Sequence, residues 1–291
     1  MTNKTCDCTA NISMETNIGD EETLASECLL NLKEDNFEVR DITTDPDTSS
    51  YGAAVKLYNE GFTHTILKNF IDTRHFSENH RKYIKRCPNL VHMIPGLTKA
   101  ARQKMRDRFA IDLTQRCQVE FENAFNKLNG NTDRVKSCLS YSVDAIVQCY
   151  QGDHSLCTDN SYACKGDWLE KSPYLPFSFK EHVTKQSEGI LRDCINYRLG
   201  PLNLEKTKFN TNSQKVEAAN RVLRRSLPRN ITWTRNFPGR AHSAVHSLNN
   251  GPGESILKLC NAIGCSIKSG TRVAQTLAQE QKFFTRYKAY K

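Results

Sequence analysis

The sequence predicts an α/β fold, and three observations carry that expectation. An apolar, β-favouring run from Phe37, FEVRDITT, ends in a carboxylate at Asp45. A small-residue helix start, SSYGAA, follows from Ser49, and a second β-favouring run covers Thr65–Ile71. Strand, helix and strand in that order make a βαβ-like unit. Such a unit presents acids at the C-terminal edge of its strands, where α/β proteins place chemistry.

The elements follow in order. Gly19 and Asp20 open a helix with Leu24, Cys28, Leu29 and Leu32 on one face, and Asp35 and Asn36 close it ahead of the first strand. Behind Asp45 a Pro-Asp turn and two serines lead into a helix through Ala53, Ala54 and Leu57 that ends at Gly61. From Thr98 to Leu128, Ala101, Met105, Phe109, Leu113, Cys117, Phe121 and Phe125 recur about every fourth residue, the period of one buried helix face. Gly130 and Asn131 break that helix, and the next runs through Val135, Leu139, Val143, Ile146 and Val147. Cys149 to Phe179 reads as loop, rich in Gly, Asp, Ser and Pro. Helix returns over Glu181–Leu199 and stops at Gly200 and Pro201. Neither an internal repeat nor a low-complexity tract interrupts the chain.

With 291 residues the chain can bury a full core, as one large domain or one domain with an insertion. No run of about 18 apolar residues occurs, and the N-terminus MTNKTCDCTANISMETN lacks the basic-then-apolar order of a secretory signal. A soluble, intracellular protein is expected. The 12 cysteines, with sequons at Asn3, Asn11 and Asn230, would also suit a disulfide-bonded secreted domain. Cys6, Cys28, Cys87, Cys117, Cys138 and Cys194 are scattered singly through helical patterns, however, which favours reduced core thiols. The net charge of +9 is uneven: residues 1–50 carry three bases against twelve acids, and residues 206–291 carry sixteen bases against three. That asymmetry suits a polyanion bound beside a carboxylate-bearing site, with solvated helix faces as the plain alternative.

Four constellations could carry chemistry. Asp45 and Asp47 in TTDPD could hold Mg²⁺ by oxygen ligation at a rigid strand end, or form an ordinary Asx turn. Asp72-Thr-Arg-His75 could orient a carboxylate or phosphate, and His80, Arg81 and Lys82 behind it could contact DNA backbone; a satisfied structural histidine is the ordinary alternative. Cys149, His154, Cys157 and Cys164 supply the tetrahedral S and N donor set of structural zinc within one polar loop, with free thiols or disulfides as the alternatives. Finally, TNSQKVEAANR opens a helix capped by Asn212 or Ser213, with Val216, Ala219, Val222 and Leu223 on its apolar face. Its Glu217 could pair with Arg221 four residues on, or serve as a metal carboxylate.

Taken together and in order, NKTCDCTANISMETNIGDEE, TTDPD, DTRH, CYQGDHSLC, KSPYLP, INYRLGP, TNSQKVEAANR and SLPRNITWTRNFPGRAHSAVHSLNNGPGES resemble the Mutator-like DDE transposases of animal genomes. The resemblance implies an incomplete RNase H-like mixed sheet with flanking helices, interrupted by a large, mainly helical insertion. Residues 1–95 would be the N-terminal part of the catalytic core, and 96–205 the insertion with the Cys/His loop at 149–168. Residues 206–291 would be a basic helical part carrying the last acid. Asp45 matches the family's second acid, Asp72 and His75 its C/DxxH motif, and Glu217 its third acid.

The implied chemistry is two-metal Mg²⁺ phosphoryl transfer on DNA. The implied partners are transposon ends and target DNA, with a homo-oligomer as a further expectation, neither membrane nor small-molecule substrate, and work in the nucleus or in nucleus and cytoplasm. Lys215, Arg221, Arg224, Arg225, Arg229, Arg235 and Arg240 would grip phosphates, and Trp233 and Phe237 could stack on bases. The family's first acid belongs on a strand preceding one that ends near Cys6–Ala10, and Asp7 does not stand in its context. An incomplete metal site and impaired catalysis are therefore expected. Two other readings are a non-catalytic DNA- or chromatin-binding protein, using the basic third and a zinc loop, and a secreted cysteine-rich binding protein.

Overall fold

The computed structural model describes residues 21–45, 49–228 and 237–289, which divide into two compact units, residues 21–213 and 214–289. In the first, helix α1 (Glu21–Glu34) carries Glu21 and Glu22 in its first turn and Lys33 in its last, matching the helix dipole at both ends. It packs on α2 (Ser49–Asn59), whose Ala53 and Ala54 are fully buried. Around α2 run two strands, β1 (Asp41–Thr44) and β2 (Lys68–Ile71), paired in parallel with Asp41 opposite Lys68 and Thr44 opposite Ile71. Helix α3 (Thr73–Arg86) begins directly behind β2.

These two four-residue strands are the only sheet among the described residues, so the expected RNase H-like mixed sheet is not formed. Helix makes up 70% of the described residues and strand 3%, so the described structure is helical with one βαβ unit. The reason is local. Among the described residues only Asp41–Thr44 and Lys68–Ile71 pair, and most of the buried apolar residues recur at helical spacing on helix faces. The strand expected near Cys6–Ala10 lies outside the described residues.

The body of this unit is α4 (Lys99–Lys127) against α5 (Thr132–Tyr150) and α8 (Glu188–Leu199). Between α5 and α8 lie the short α6 (Cys157–Asn160), α7 (Trp168–Lys171) and a 3₁₀ turn, Phe177–His182. Thr98 caps α4 by accepting from Ala101 N–H, and Asn131 caps α5 by accepting from Arg134 N–H. Gly130, at φ 68°, makes the left-handed turn between them. Phe109, Leu113, Cys117 and Phe121 of α4 are all fully buried, facing Leu139 and Ile146 of α5 and Leu191 and Ile195 of α8 in one core. Each large apolar side chain buried there contributes about 2 kcal/mol. The helix expected over Glu181–Leu199 starts later, at Glu188, because the 3₁₀ turn ending at His182 precedes it. Helix α9 (Pro201–Thr207) closes the unit, and residues 211–213 return to the strand edge.

The second unit comprises α10 (Gln214–Ser226), α11 (Phe237–Asn250), α12 (Pro252–Ala262) and α13 (Arg272–Ala289), each packed on the next. At Gly253 an added Cβ would stand 2.2 Å from the Leu277 carbonyl oxygen, so glycine is what lets α12 and α13 approach. No helix of the described residues is long and apolar enough to cross a membrane.

Candidate functional site

Asp45 follows the last residue of β1, and its exposed carboxylate stands at the strand's C-terminal edge. Beneath it the buried Thr44 bonds through its hydroxyl to Asn69 Oδ1 at 3.1 Å, tying the strand end to β2. His75, in the first turn of α3, brings Nε2 to 3.4 Å from Asp45 Oδ1. Ligand atoms of Asp45, Asp72 and His75 all lie within 4.8 Å of one another.

Asp72 is differently employed. It is fully buried, and its Oδ1 accepts from the N–H groups of Arg74 at 2.8 Å and His75 at 3.0 Å, capping α3. Its Oδ2 accepts from Ser213 N–H at 2.5 Å. Burial pushes its pKa up, but these N–H bonds from His75, Ser213 and Arg74 outweigh that and hold the carboxyl below its ordinary value. Beside it, Thr211 O accepts from Thr73 N–H at 3.1 Å, and the Thr43 and Thr211 hydroxyls meet at 3.2 Å. Asp72 thus fixes both the turn that carries His75 and the return of residues 211–213 to the strand edge.

Among the described residues the edge offers a hard cation one open carboxylate, Asp45, with an imidazole beside it; the oxygens of Asp72 are already taken by three N–H donors. Those residues fit a single Mg²⁺ ligand with its orienting partner. Glu217 lies on α10 in the second unit, with Arg221 Nη2 3.8 Å from its carboxylate. Asp47 lies outside the described residues.

Of the residues expected to face DNA, His80 does not. It is fully buried, with Nε2 2.7 Å from Cys194 O and its ring stacked on Tyr197. Burial, with the Arg198 guanidinium also acting on it, pushes its pKa down to about 4, so it is neutral in the core. The cause is its place on α3: Phe76, His80 and Ile84 form the buried face at four-residue spacing. Arg81 and Lys82 remain exposed beside it. Arg221, Arg224, Arg225 and Arg240 are exposed in the second unit, as is Phe237, and Arg240 Nη1 donates to Ser226 O at 3.2 Å. Arg229, Trp233, Arg235 and the Lys215 side chain lie outside the described residues, as do the sequons at Asn3, Asn11 and Asn230.

The Cys/His loop closes on itself. Cys149, at the end of α5, meets Cys157 and Cys164 as a buried cluster with His154 at its side, a group that could hold a metal ion. Cys149 Sγ and Cys164 Sγ are 3.8 Å apart, and His154 Nδ1 is 3.6 Å from Cys157 Sγ and 3.5 Å from Cys164 Sγ. Hydrogen bonds from the Cys149 and Cys157 thiols, and from the Gly166 and Trp168 backbone, lower the pKa of Cys164 toward thiolate. Every cysteine among the described residues is free of a disulfide.

One buried polar row was not anticipated. Asp112, Arg116 and Glu120 of α4 are at most 1% exposed, four residues apart, and each stands one position before Leu113, Cys117 or Phe121 of the apolar stripe. That register was the available signal. Arg116 and Glu120 pair directly, and Asp112 accepts from Tyr150 at 2.5 Å, Trp168 Nε1 at 3.1 Å and Ser172 at 2.5 Å.

A family model described as Mutator-like transposase matches residues 1–164. That stretch holds Asp45, Asp72, His75 and the four Cys/His residues, whereas Glu217 and the basic helices lie beyond it. No curated protein and no solved structure matches the chain.

Proposed function

Because the chain belongs to the Mutator-like transposase family, we propose that it acts on DNA by phosphoryl transfer, with Asp45 as the metal-facing carboxylate and His75 as the residue that orients it. The observation that carries this reading is the 3.4 Å approach of His75 Nε2 to Asp45 Oδ1 at the C-terminal end of β1. A magnesium ion bound at Asp45 would supply Lewis acidity for the attacking hydroxyl and the leaving oxygen. His75 holds the carboxylate, and Asp72 holds His75 by capping its helix. Glu217, matched only by resemblance, is proposed as a further acid of the reaction. The Cys/His group takes no part in it and is of the structural metal class.

DNA ends and a target are the proposed partners, which places the work in the nucleus; joining two ends favours more than one copy of the chain. The test is metal-dependent nicking and joining of duplex DNA carrying the element's ends. Asp45→Ala and Glu217→Ala should abolish it, and His75→Ala should lower it about 10–100-fold, as for a residue that orients a metal ligand. Cleavage unchanged in Asp45→Ala would reject the assignment.

A second reading has its own observation: sixteen bases against three acids over residues 206–291, with Arg221, Arg224, Arg225 and Arg240 exposed. That surface serves a non-catalytic DNA-binding protein equally. Salt-sensitive binding without cleavage would select it.

A further inference from the structure

We propose that Cys149, His154, Cys157 and Cys164 bind one Zn²⁺, and that this ion fastens residues 153–172 over the buried polar row of α4. The inference is independent of the DNA reading and holds for a catalyst and a binding module alike.

Three of the six edges between the donor atoms have the length of a zinc tetrahedron's edges, and all six are within 4.8 Å. Zinc holds thiolate sulfur at about 2.3 Å and imidazole nitrogen at about 2.0–2.1 Å. Tetrahedral angles then set sulfur–sulfur edges of about 3.8 Å and sulfur–nitrogen edges of about 3.5 Å. The chain shows 3.8 Å between Cys149 and Cys164, and 3.6 and 3.5 Å from His154 Nδ1 to Cys157 and Cys164. A disulfide would bring two sulfurs to about 2.05 Å. All four donor atoms lie within 4.8 Å of one another. Outside the tetrahedron, Gly166 N–H points at Cys164 Sγ from 3.3 Å, the kind of bond that steadies a metal thiolate.

The surrounding segment explains why a metal is needed there. Between residues 151 and 172 only Cys157, Cys164 and Leu169 are buried, with Tyr162 and Trp168 partly buried against the core, so two of the three buried side chains are donors and little apolar surface is left to hold the loop. Yet that loop completes the polar row. Ser161 Oγ accepts from Arg116 Nη2 at 3.0 Å and donates to Glu120 Oε2 at 3.1 Å, Tyr162 N–H donates to Glu120, and Trp168 and Ser172 donate to Asp112. A buried ion pair is tolerable only when its other hydrogen-bonding positions are filled. Cys157 and Cys164 flank Ser161 and Tyr162, so an ion joining both to Cys149 at the end of α5 clamps these donors in place.

The experiment is metal analysis, cobalt substitution and chelation on the full chain. Purified protein should carry one zinc per chain. Cobalt should give the intense ligand-field bands of a tetrahedral site with thiolate charge transfer. A strong chelator should lower Tm and open residues 151–172 to protease, and added zinc should reverse both. Cys157→Ser and Cys164→Ser should lose the ion. His154→Cys, which keeps four tetrahedral donors, should retain it, as should Asp45→Ala. Substoichiometric metal in protein prepared with zinc would overturn the proposal, as would octahedral cobalt, an indifferent Tm on chelation, or zinc lost from Asp45→Ala but kept in Cys157→Ser. Zinc bound without DNA cleavage would leave it standing while rejecting catalysis.

Discussion

At the scale of the residue, His80 carries a pH dependence that its burial dictates. Burial lowers its folded-state pKa to about 4 from an ordinary value near 6.5, so the unfolded chain binds the extra proton between those values. Stability is therefore complete above about pH 6.5 and falls as pH drops toward about 4, by about 3 kcal/mol in total. Urea melts of the wild type from pH 7 to pH 4 should show that slope, and His80→Asn should flatten it whatever its absolute stability. An unchanged slope in the variant would place the titration elsewhere. The sequence contained the clue, since Phe76, His80 and Ile84 share one helix face, but the neighbouring Arg81 and Lys82 drew the histidine into a basic cluster. Asp72 shows the converse: its position before α3 was visible in DTRH, but its bond to Ser213, 141 residues away, is a tertiary contact no local pattern encodes. Likewise the four Cys/His donors were legible by type, whereas the approach of Cys149 to Cys164 and of His154 to Cys157 and Cys164, at 3.5–3.8 Å, exists only after folding.

At the scale of the element, α4 was the most legible part of the chain because its stripe from Phe109 to Phe121 repeats a purely local period, and such faces bury whatever their partner. The sheet was the least legible, since a strand needs a partner from elsewhere, and only β1 and β2 found one among the described residues. The polar row on α4 makes a sharp prediction. Removing one charge leaves the other buried and uncompensated, so Glu120→Leu or Arg116→Met alone should cost about 3–5 kcal/mol. The double variant Arg116→Met with Glu120→Leu, apolar on both sides, should cost much less than the two singles summed. Denaturant melts of the four proteins close this cycle. Additive losses would mean that the pair and its lid contribute independently, against the coupling seen through Ser161.

At the scale of the whole molecule, charge is distributed unevenly along the chain. The acids crowd residues 1–50 and the bases residues 206–291, where α10 carries Arg221, Arg224 and Arg225 exposed. Each phosphate neutralised releases condensed counterions and steepens the salt dependence of binding by about 0.9 in the log–log slope. If these three arginines each meet a phosphate, replacing all three with alanine should flatten that slope by about 2.7 for duplex DNA of any sequence. Arg221 stands 3.8 Å from Glu217 and is partly committed to it, so Arg224→Ala with Arg225→Ala should account for most of the change. Fluorescence anisotropy of a short labelled duplex across a salt series reads this directly. The Asp45→Ala chain should keep the full slope, because its carboxylate sits in the other unit and contributes no cation. A slope unaltered by the triple substitution would remove α10 from the DNA surface and shift the binding role to Arg81, Lys82 and the remaining bases.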